Sequence, residues 1–298
     1  MILYGRNPVV EALRGRRARS VGEVWATAGA ARESWLAGVR ARVVSGEEIE
    51  GRCGSPHHQG VCAEAGGYPY VSADELLAVE DALIVALDQV QDPQNLGSIC
   101  RTAECAGATG VVIPERRAAE VTPAVCKASA GAVEHLRIAQ VRNLADFLGD
   151  AHRAGGWSYG ASAPPAGAPT EGGTGAAAER PPGVGHEAGG SGVRDISRAG
   201  GGGEGRTASL SKGGRWAGAT VPYDRPDYHG KVVLVLGSEG RGLRPRVAGE
   251  CDQLISLPLH GRIESLGVAA AAAAILYEIL RNRHHDPVRD LAQSPPRP

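Results

Sequence analysis

Lys231-Val-Val-Leu-Val-Leu236 runs without a break into Gly237-Ser238-Glu239-Gly240-Arg241-Gly242. A strand-length run with no alternation of apolar and polar residues is buried on both faces, as in a parallel sheet covered by helices. A glycine-rich turn at the end of such a strand usually faces a nucleotide or phosphate, because exposed N–H groups and a following helix dipole favour negative charge. This loop fails both common forms of that site. It reads G-x-x-G-x-G rather than G-x-G-x-x-G, and no acidic residue follows at the dinucleotide spacing. Arg241-Gly242-Leu243 is not the Gly-Lys-Ser/Thr of a P-loop. By itself the loop is either a cofactor turn of another kind or simply a tight turn.

The surrounding pattern fixes the fold class. Ala82–Leu87 (ALIVAL) is a second fully apolar run. After it the sequence predicts helix over Gly97–Ala106, strand over Gly110–Ile113, helix over Pro123–Gly131 and strand over Leu136–Val141. Helix over Leu144–Ala154 and strand over Trp157–Ala161 follow. Such alternation with short connections implies an α/β domain with a parallel sheet. It stops at Pro164. From Gly160 to Gly218, 18 of 59 residues are glycine and large apolar residues nearly vanish. That composition cannot offset its own ordering entropy, so about 164–215 is expected to be a disordered surface insertion. Leu254–Leu257 reads as a further strand. Ser265–Arg283 reads as a long helix with Ser265 as its N-cap and Arg281 and Arg283 suiting its C-terminal dipole. Its stretch Ala269–Ala274 permits close packing against another helix, within the fold or across a dimer interface. Residues 286–298 read as a flexible tail.

Residues 1–66 form a separate small α+β region. Val9, Val10 and Leu13 have helical spacing and Val21–Thr27 reads as a strand. Through Ser45 this region holds eight Arg against three Glu, with Arg14, Arg16, Arg17 and Arg19 close together. The cluster is either a solvated surface or a patch facing RNA phosphates. Residues 67–81 read as a linker with a short helix, leading into a domain over 82–285. The net charge of −1 excludes a globally basic binder but not a local patch. Only three residues are lysine, so arginine is a compositional habit here and no single Arg is a signal. The six cysteines form no C-x-x-C pair. Cys53 and Cys62 flank His57 and His58 without tight zinc spacing, so free thiols and no metal are expected. No signal pattern opens the chain, and the longest apolar run, Val268–Leu276, is too short to span a bilayer. A soluble, cytoplasmic protein with no membrane contact is expected.

Asp88-Gln89-Val90-Gln91-Asp92-Pro93-Gln94-Asn95 crowds polar residues at the end of a buried strand, where open α/β sheets place their sites. Asn95 reads first as a helix cap. The stretch Asn95-x-Gly97-x-x-x-Arg101-x-Ala103, the loop Gly237-x-Glu239-x-x-Gly242 and Ser265-Leu266-Gly267-Val268 match, in order, the three motifs of the SpoU/TrmH branch of the SPOUT methyltransferases. Tyr4-Gly5-Arg6-Asn7-Pro8 and His58-Gln59-Gly60-Val61 resemble the ribosomal-protein-like accessory domain of bacterial ribosomal RNA (guanosine-2′-O-)methyltransferases.

The resemblance implies a deep C-terminal trefoil knot, a homodimer and an RNA partner, with ribosomal RNA favoured over transfer RNA. It implies S-adenosylmethionine, held by Gly237, Glu239, Gly242, Ile255, Leu257, Ser265 and Leu266. It also implies transfer of the methyl to a ribose 2′-hydroxyl. Arg101 would serve that step as a phosphate clamp or an unusual base, Glu239 would orient it, and Asn95 would fix the ribose or order the loop. Gly267 stands where the family usually has Asn, which keeps a noncatalytic RNA-binding protein in view. A nucleotide-dependent oxidoreductase is a third class, opposed by the missing fingerprint.

Overall fold

The computed structural model describes residues 1–163, 220–263 and 265–284. The expected glycine-rich insertion and the tail lie outside these residues. Two sheets organise the chain. The first draws on β1 (Ile2–Tyr4), β2 (Val21–Ala26), β3 (Ala41–Val43) and β4 (Val61–Ala65), in the order β1-β4-β2-β3. β4 pairs antiparallel with β1 and β2, while β3 adds in parallel. Helices α1 (Arg6–Arg14) and α2 (Gly46–Cys53) accompany it. Ser45 caps α2 by accepting from the Glu48 amide, and Gly54 closes it in the left-handed conformation.

Residues 67–81 are not a slack tether. The Tyr68 hydroxyl is buried against the Val133 and Leu136 carbonyls at 2.8 Å each. Val71 makes a parallel bridge to Ala139. The short helix α3 (Ala73–Leu77) starts in a capping box between Ser72 and Glu75.

The second sheet has seven strands. β5 (Leu83–Asp88) is followed by α4 (Pro93–Cys105), β6 (Gly110–Pro114), α5 (Pro123–Ala128), β7 (Arg137–Val141), α6 (Leu144–Arg153) and β8 (Trp157–Ala161). Then come β9 (Val221–Pro222), β10 (Val232–Gly237), α7 (Pro245–Glu250), β11 (Gln253–Ser256) and α8 (Val268–His284). The order is β7-β6-β5-β10-β8-β11-β9 and every pairing is parallel. All six residues of β5 and all six of β10 are buried, which is why neither run shows a period of two. Gly237 pairs with Asp88 at the carboxyl end of this central pair, so the glycine loop and the polar segment after β5 emerge side by side.

Three expectations are corrected. Asn95 does not cap α4. Asp92 does, its carboxylate accepting from the Gln94 amide at 3.0 Å with Pro93 at the first helical position. An Asp-Pro start satisfies one orphan amide and removes another, so the helix opens four residues before the predicted Gly97. Ser265 does not cap the last helix, which begins at Val268 after Gly267, because φ of 78° at Gly267 breaks helical geometry there.

Arg17 does not face RNA. It is 2 % exposed. Its Nε donates to Glu134 Oε2 at 2.8 Å and its Nη2 to Glu134 Oε1, while its guanidinium lies 5.5 Å from the Tyr68 ring centroid. Burial alone would lower the guanidinium pKa, but Glu134 more than offsets it, so the pKa is raised. Arg16 donates to the Leu136 carbonyl at 3.1 Å. Arg14 and Arg19 remain exposed. The two sheets are therefore joined by a dry, fully bonded seam, and one apolar cluster runs from Leu3 and Val24 through to Leu234 and Ile275.

Candidate active site at the glycine loop

The loop after β10 is a backbone device. Ser238 and Gly242 exchange both amide-to-carbonyl bonds, at 3.1 and 2.9 Å, and close a tight hairpin. Gly240 and Gly242 take φ of 79° and 64°. A Cβ on Gly237 would fall inside the Gly242 and Leu243 backbone, so only glycine fits. The far end of the loop is fixed by Asp88, which is fully buried. It accepts from the Arg244 amide at 2.8 Å and from Arg244 Nε at 2.7 Å. This clamp ties the loop to the end of β5. The sequence gives no sign of it, because the two residues stand far apart along the chain.

Beside the loop lies a cleft of about 220 Å³, lined by Gln89, Val90, Gln91, Asp92, Asn95, Ser238, Glu239 and Val268. Asn95, at the third position of α4, donates through Nδ2 to Glu239 Oε1 at 2.9 Å. Two of the three motifs thus meet directly. The third arrives through Val268 in the wall and through Gly267, where a Cβ would lie 3.8 Å from Glu239 Oε1. Gln89 holds φ of 62°, costly for a residue with a side chain and found at the mouth of the site.

The other expected residues fall into place unevenly. Arg101 lies on α4 but does not line the cleft; it is exposed and bonds to none of the described residues, so Glu239 orients Asn95 and not Arg101. Ile255 is buried in the core and Leu257 packs against it. Ser265 and Leu266 are exposed, Leu266 by 53 %. Gln89, Val90, Gln91 and Asp92 come from the polar segment that the sequence places at the end of β5, and Val268 closes the third motif, but the sequence singles out none of them, nor Ser238, as an individual site residue.

The charge of the lining decides what class of ligand fits. Its ionisable groups are the carboxylates of Asp92 and Glu239, and no lining residue is basic. A pyrophosphate would meet like charge there, whereas a cationic ligand would be attracted. Two carboxylates beside an apolar wall of Val90 and Val268 can receive a ligand that is cationic and partly apolar. Among the described residues no His, Cys, Asp and Glu cluster could hold a metal ion, and no helix is long and apolar enough to cross a membrane. Burial pushes the thiols of Cys100, Cys126 and Cys251 up to about 12, so they stay protonated at neutral pH.

The cleft lies beside the paired central strands of the parallel sheet and carries two carboxylates. Comparison with known proteins gives the family. The model of the SpoU rRNA Methylase family matches residues 82–177 and 208–277, and that of RNA 2′-O ribose methyltransferase substrate binding matches residues 2–71. A Bacillus subtilis protein named "Putative TrmH family tRNA/rRNA methyltransferase YacO" is 32% identical over 232 residues, which is 76% of this chain and 72% of that protein. The chain belongs to the SpoU/TrmH family of RNA methyltransferases. Solved structures agree on the fold. The SpoU methyltransferase AviRb of Streptomyces viridochromogenes, in complex with AdoMet, has a TM-score of 0.62 at 21% identity, covering 94% of this chain and 89% of that one. An AdoMet-bound rRNA methyltransferase of Sinorhizobium meliloti has a TM-score of 0.63 at 23% identity, covering 94% and 86%.

Proposed function

We propose that this enzyme methylates a ribose 2′-hydroxyl of RNA, with a guanosine of large-subunit ribosomal RNA as target and S-adenosylmethionine as donor. The observation that carries the reading is the bond from Asn95 to Glu239 across a cleft lined by carboxylates and no basic side chain. When bound, the donor supplies an electrophilic methyl that needs no metal to activate it. The Gly237–Gly242 backbone, Glu239 and Val268 would hold it, with Ile255 and Leu257 supporting the wall from behind.

The protein's own task is alignment and help in removing a proton from a weakly acidic hydroxyl. Arg101 is exposed and free of partners among the described residues, so its guanidinium is available to a backbone phosphate. A cation fixed there lowers the neighbouring hydroxyl's pKa electrostatically. A guanidinium stays protonated, which makes clamp a better role than base. Asn95, tied to Glu239, keeps the start of α4 against the loop.

The exposed side chains of Ile263 (76 %), Leu266 (53 %) and Tyr277 (50 %) support a homodimer through the catalytic domain. The trefoil knot of the family would form in the segment that leads from β11 to α8, the helix that packs on α4. Residues 1–66 would carry RNA with Arg14, Arg16 and Arg19 on the surface, acting in the cytoplasm.

The test is methylation of total ribosomal RNA with labelled donor. Arg101→Ala should cut transfer by at least about 100-fold, the scale of a positioned proton-transfer aid, and leave donor affinity measured by calorimetry unchanged. Full activity in that variant would defeat the assignment.

A further inference from the structure

The motif residues Gly5-Arg6 and His58-Gln59-Gly60 lie outside the glycine-loop site, yet the fold gathers them around a second cleft. It measures about 200 Å³ and is lined by Arg6, Ala30, Glu33, Trp35 and Gln59. The guanidinium carbon of Arg6 lies 5.1 Å from the Trp35 ring centroid, and its Nη2 pairs with Glu33 Oε2. The Trp35 indole N–H donates to the same oxygen at 3.0 Å. Glu33 thus uses Oε2 to hold a cation over an aromatic ring and keeps Oε1 without a partner among the described residues.

Gln59 is the opposite case. Its Oε1 accepts from the Arg6 amide at 2.9 Å and from Lys127 Nζ at 3.0 Å. Both partners are donors, which fixes the amide's orientation and leaves the Nε2 hydrogens unpartnered. The backbone is shaped to place this group. Gln59 holds φ of 54°, and the Gly60 amide donates to His58 Nδ1 at 2.9 Å. At Gly5, with φ of 91°, a Cβ would collide with Lys127 Nζ and crowd Gln59 Oε1, which would stand 3.1 Å away.

The cleft therefore offers a stacking plane, a spare carboxylate oxygen and a spare amide donor. Guanidinium planes stack on unpaired bases, whose Watson–Crick edges are then open to side chains. Guanine alone among the RNA bases sets two adjacent donors, N1–H and N2–H₂, beside an acceptor, O6, on one edge. Adenine and cytosine place a ring acceptor next to their single donor group, and uracil flanks its one donor with two acceptors. We propose that this cleft binds an unpaired guanine base, stacked on Arg6 and read by Glu33 Oε1 and Gln59 Nε2. The site rests on the RNA-methyltransferase reading and gives the N-terminal sheet a base preference of its own, apart from the methyl-transfer centre.

The full chain with 15N-labelled indoles, titrated separately with GMP, AMP, CMP and UMP, tests this. The Trp35 indole N–H, which touches Glu33, is assigned by its loss in Trp35→Phe. GMP should shift that resonance and bind at least about fivefold more tightly than the other three, the low end for a paired base contact. Glu33→Gln should remove the preference while the remaining indole signals stay in place. An equal response to all four nucleotides, no response of Trp35, or a GMP preference that survives Glu33→Gln would each overturn the proposal. The titration uses neither methyl donor nor turnover, so its failure is distinguishable from failure of the transferase reading, which the labelled-donor assay reports.

Discussion

The seam between the two sheets and the cleft at the glycine loop are both built around an acid facing a nitrogen donor, and they differ in every other respect. At the seam, Arg17 and Glu134 have side chains 1 % and 0 % exposed, and the guanidinium also reaches the Gly66 carbonyl at 3.3 Å. At the cleft, Glu239 and Asn95 share one bond in the open, and Arg101 has no partner among the described residues. The seam is saturated and stabilises the fold. The cleft leaves hydrogen-bonding capacity unspent, as a site that must receive ligands requires.

That contrast can be broken at its strongest point. Glu134→Ala leaves a buried guanidinium without its counter-charge and should cost about 3–5 kcal/mol. Urea denaturation would show it, and Arg17→Met combined with Glu134→Leu should recover most of the loss. A small effect of the single variant would mean that the seam is wetter than its geometry indicates. Gly237→Ala forces a methyl into the Gly242 backbone. About 1–3 kcal/mol of destabilisation is expected, with donor affinity in calorimetry falling more steeply than stability, because the shift occurs in the binding wall. Tyr68→Phe deletes the hydroxyl whose one hydrogen is shared between two carbonyls at the seam. A cost of about 1–2 kcal/mol is expected, readable in the same denaturation series with methyl transfer intact. The smallest effect belongs to Gly267→Asn. Asn is the side chain that tolerates the left-handed region best, and the new Cβ would stand at ordinary contact distance from Glu239. The variant should fold with a loss of no more than about 1–2 kcal/mol and retain methyl transfer; collapse of activity would show that the glycine itself is required.

The last case bears on the family departure at Gly267. A position held at φ of 78° selects glycine or asparagine for the backbone's sake, so the exchange keeps the turn even though it drops a side chain. The sequence alone showed the departure but not the dihedral angle that makes it tolerable. Much of the rest was legible for a stated reason. Buried parallel strands leave short unbroken apolar runs such as LIVAL and VVLVL, here bounded by turn residues, and the three motifs keep their order. Arg17 was not legible, because four arginines within six positions look alike until Glu134, more than a hundred residues later, packs against one of them. Asn95 reads as a cap only while the helix is taken to start at Gly97, four residues inside α4. The clamp between Asp88 and Arg244 depends on strand register, which local sequence does not encode.

The order of strands has a consequence for how the chain is made. β10 sits between β5 and β8, both of which precede it, so the middle of the sheet stays open on the ribosome until residues 232–237 have emerged. At roughly 5–20 residues per second that wait lasts several seconds, with the flanks of β5 and β8 unpaired and apolar. Nothing local can close the gap, because the contacts that do so join residues about 75 positions apart to β8 and about 150 to β5. Synthesis of this enzyme therefore includes an interval in which its most hydrophobic strands are exposed to chaperones, and to aggregation if those are scarce.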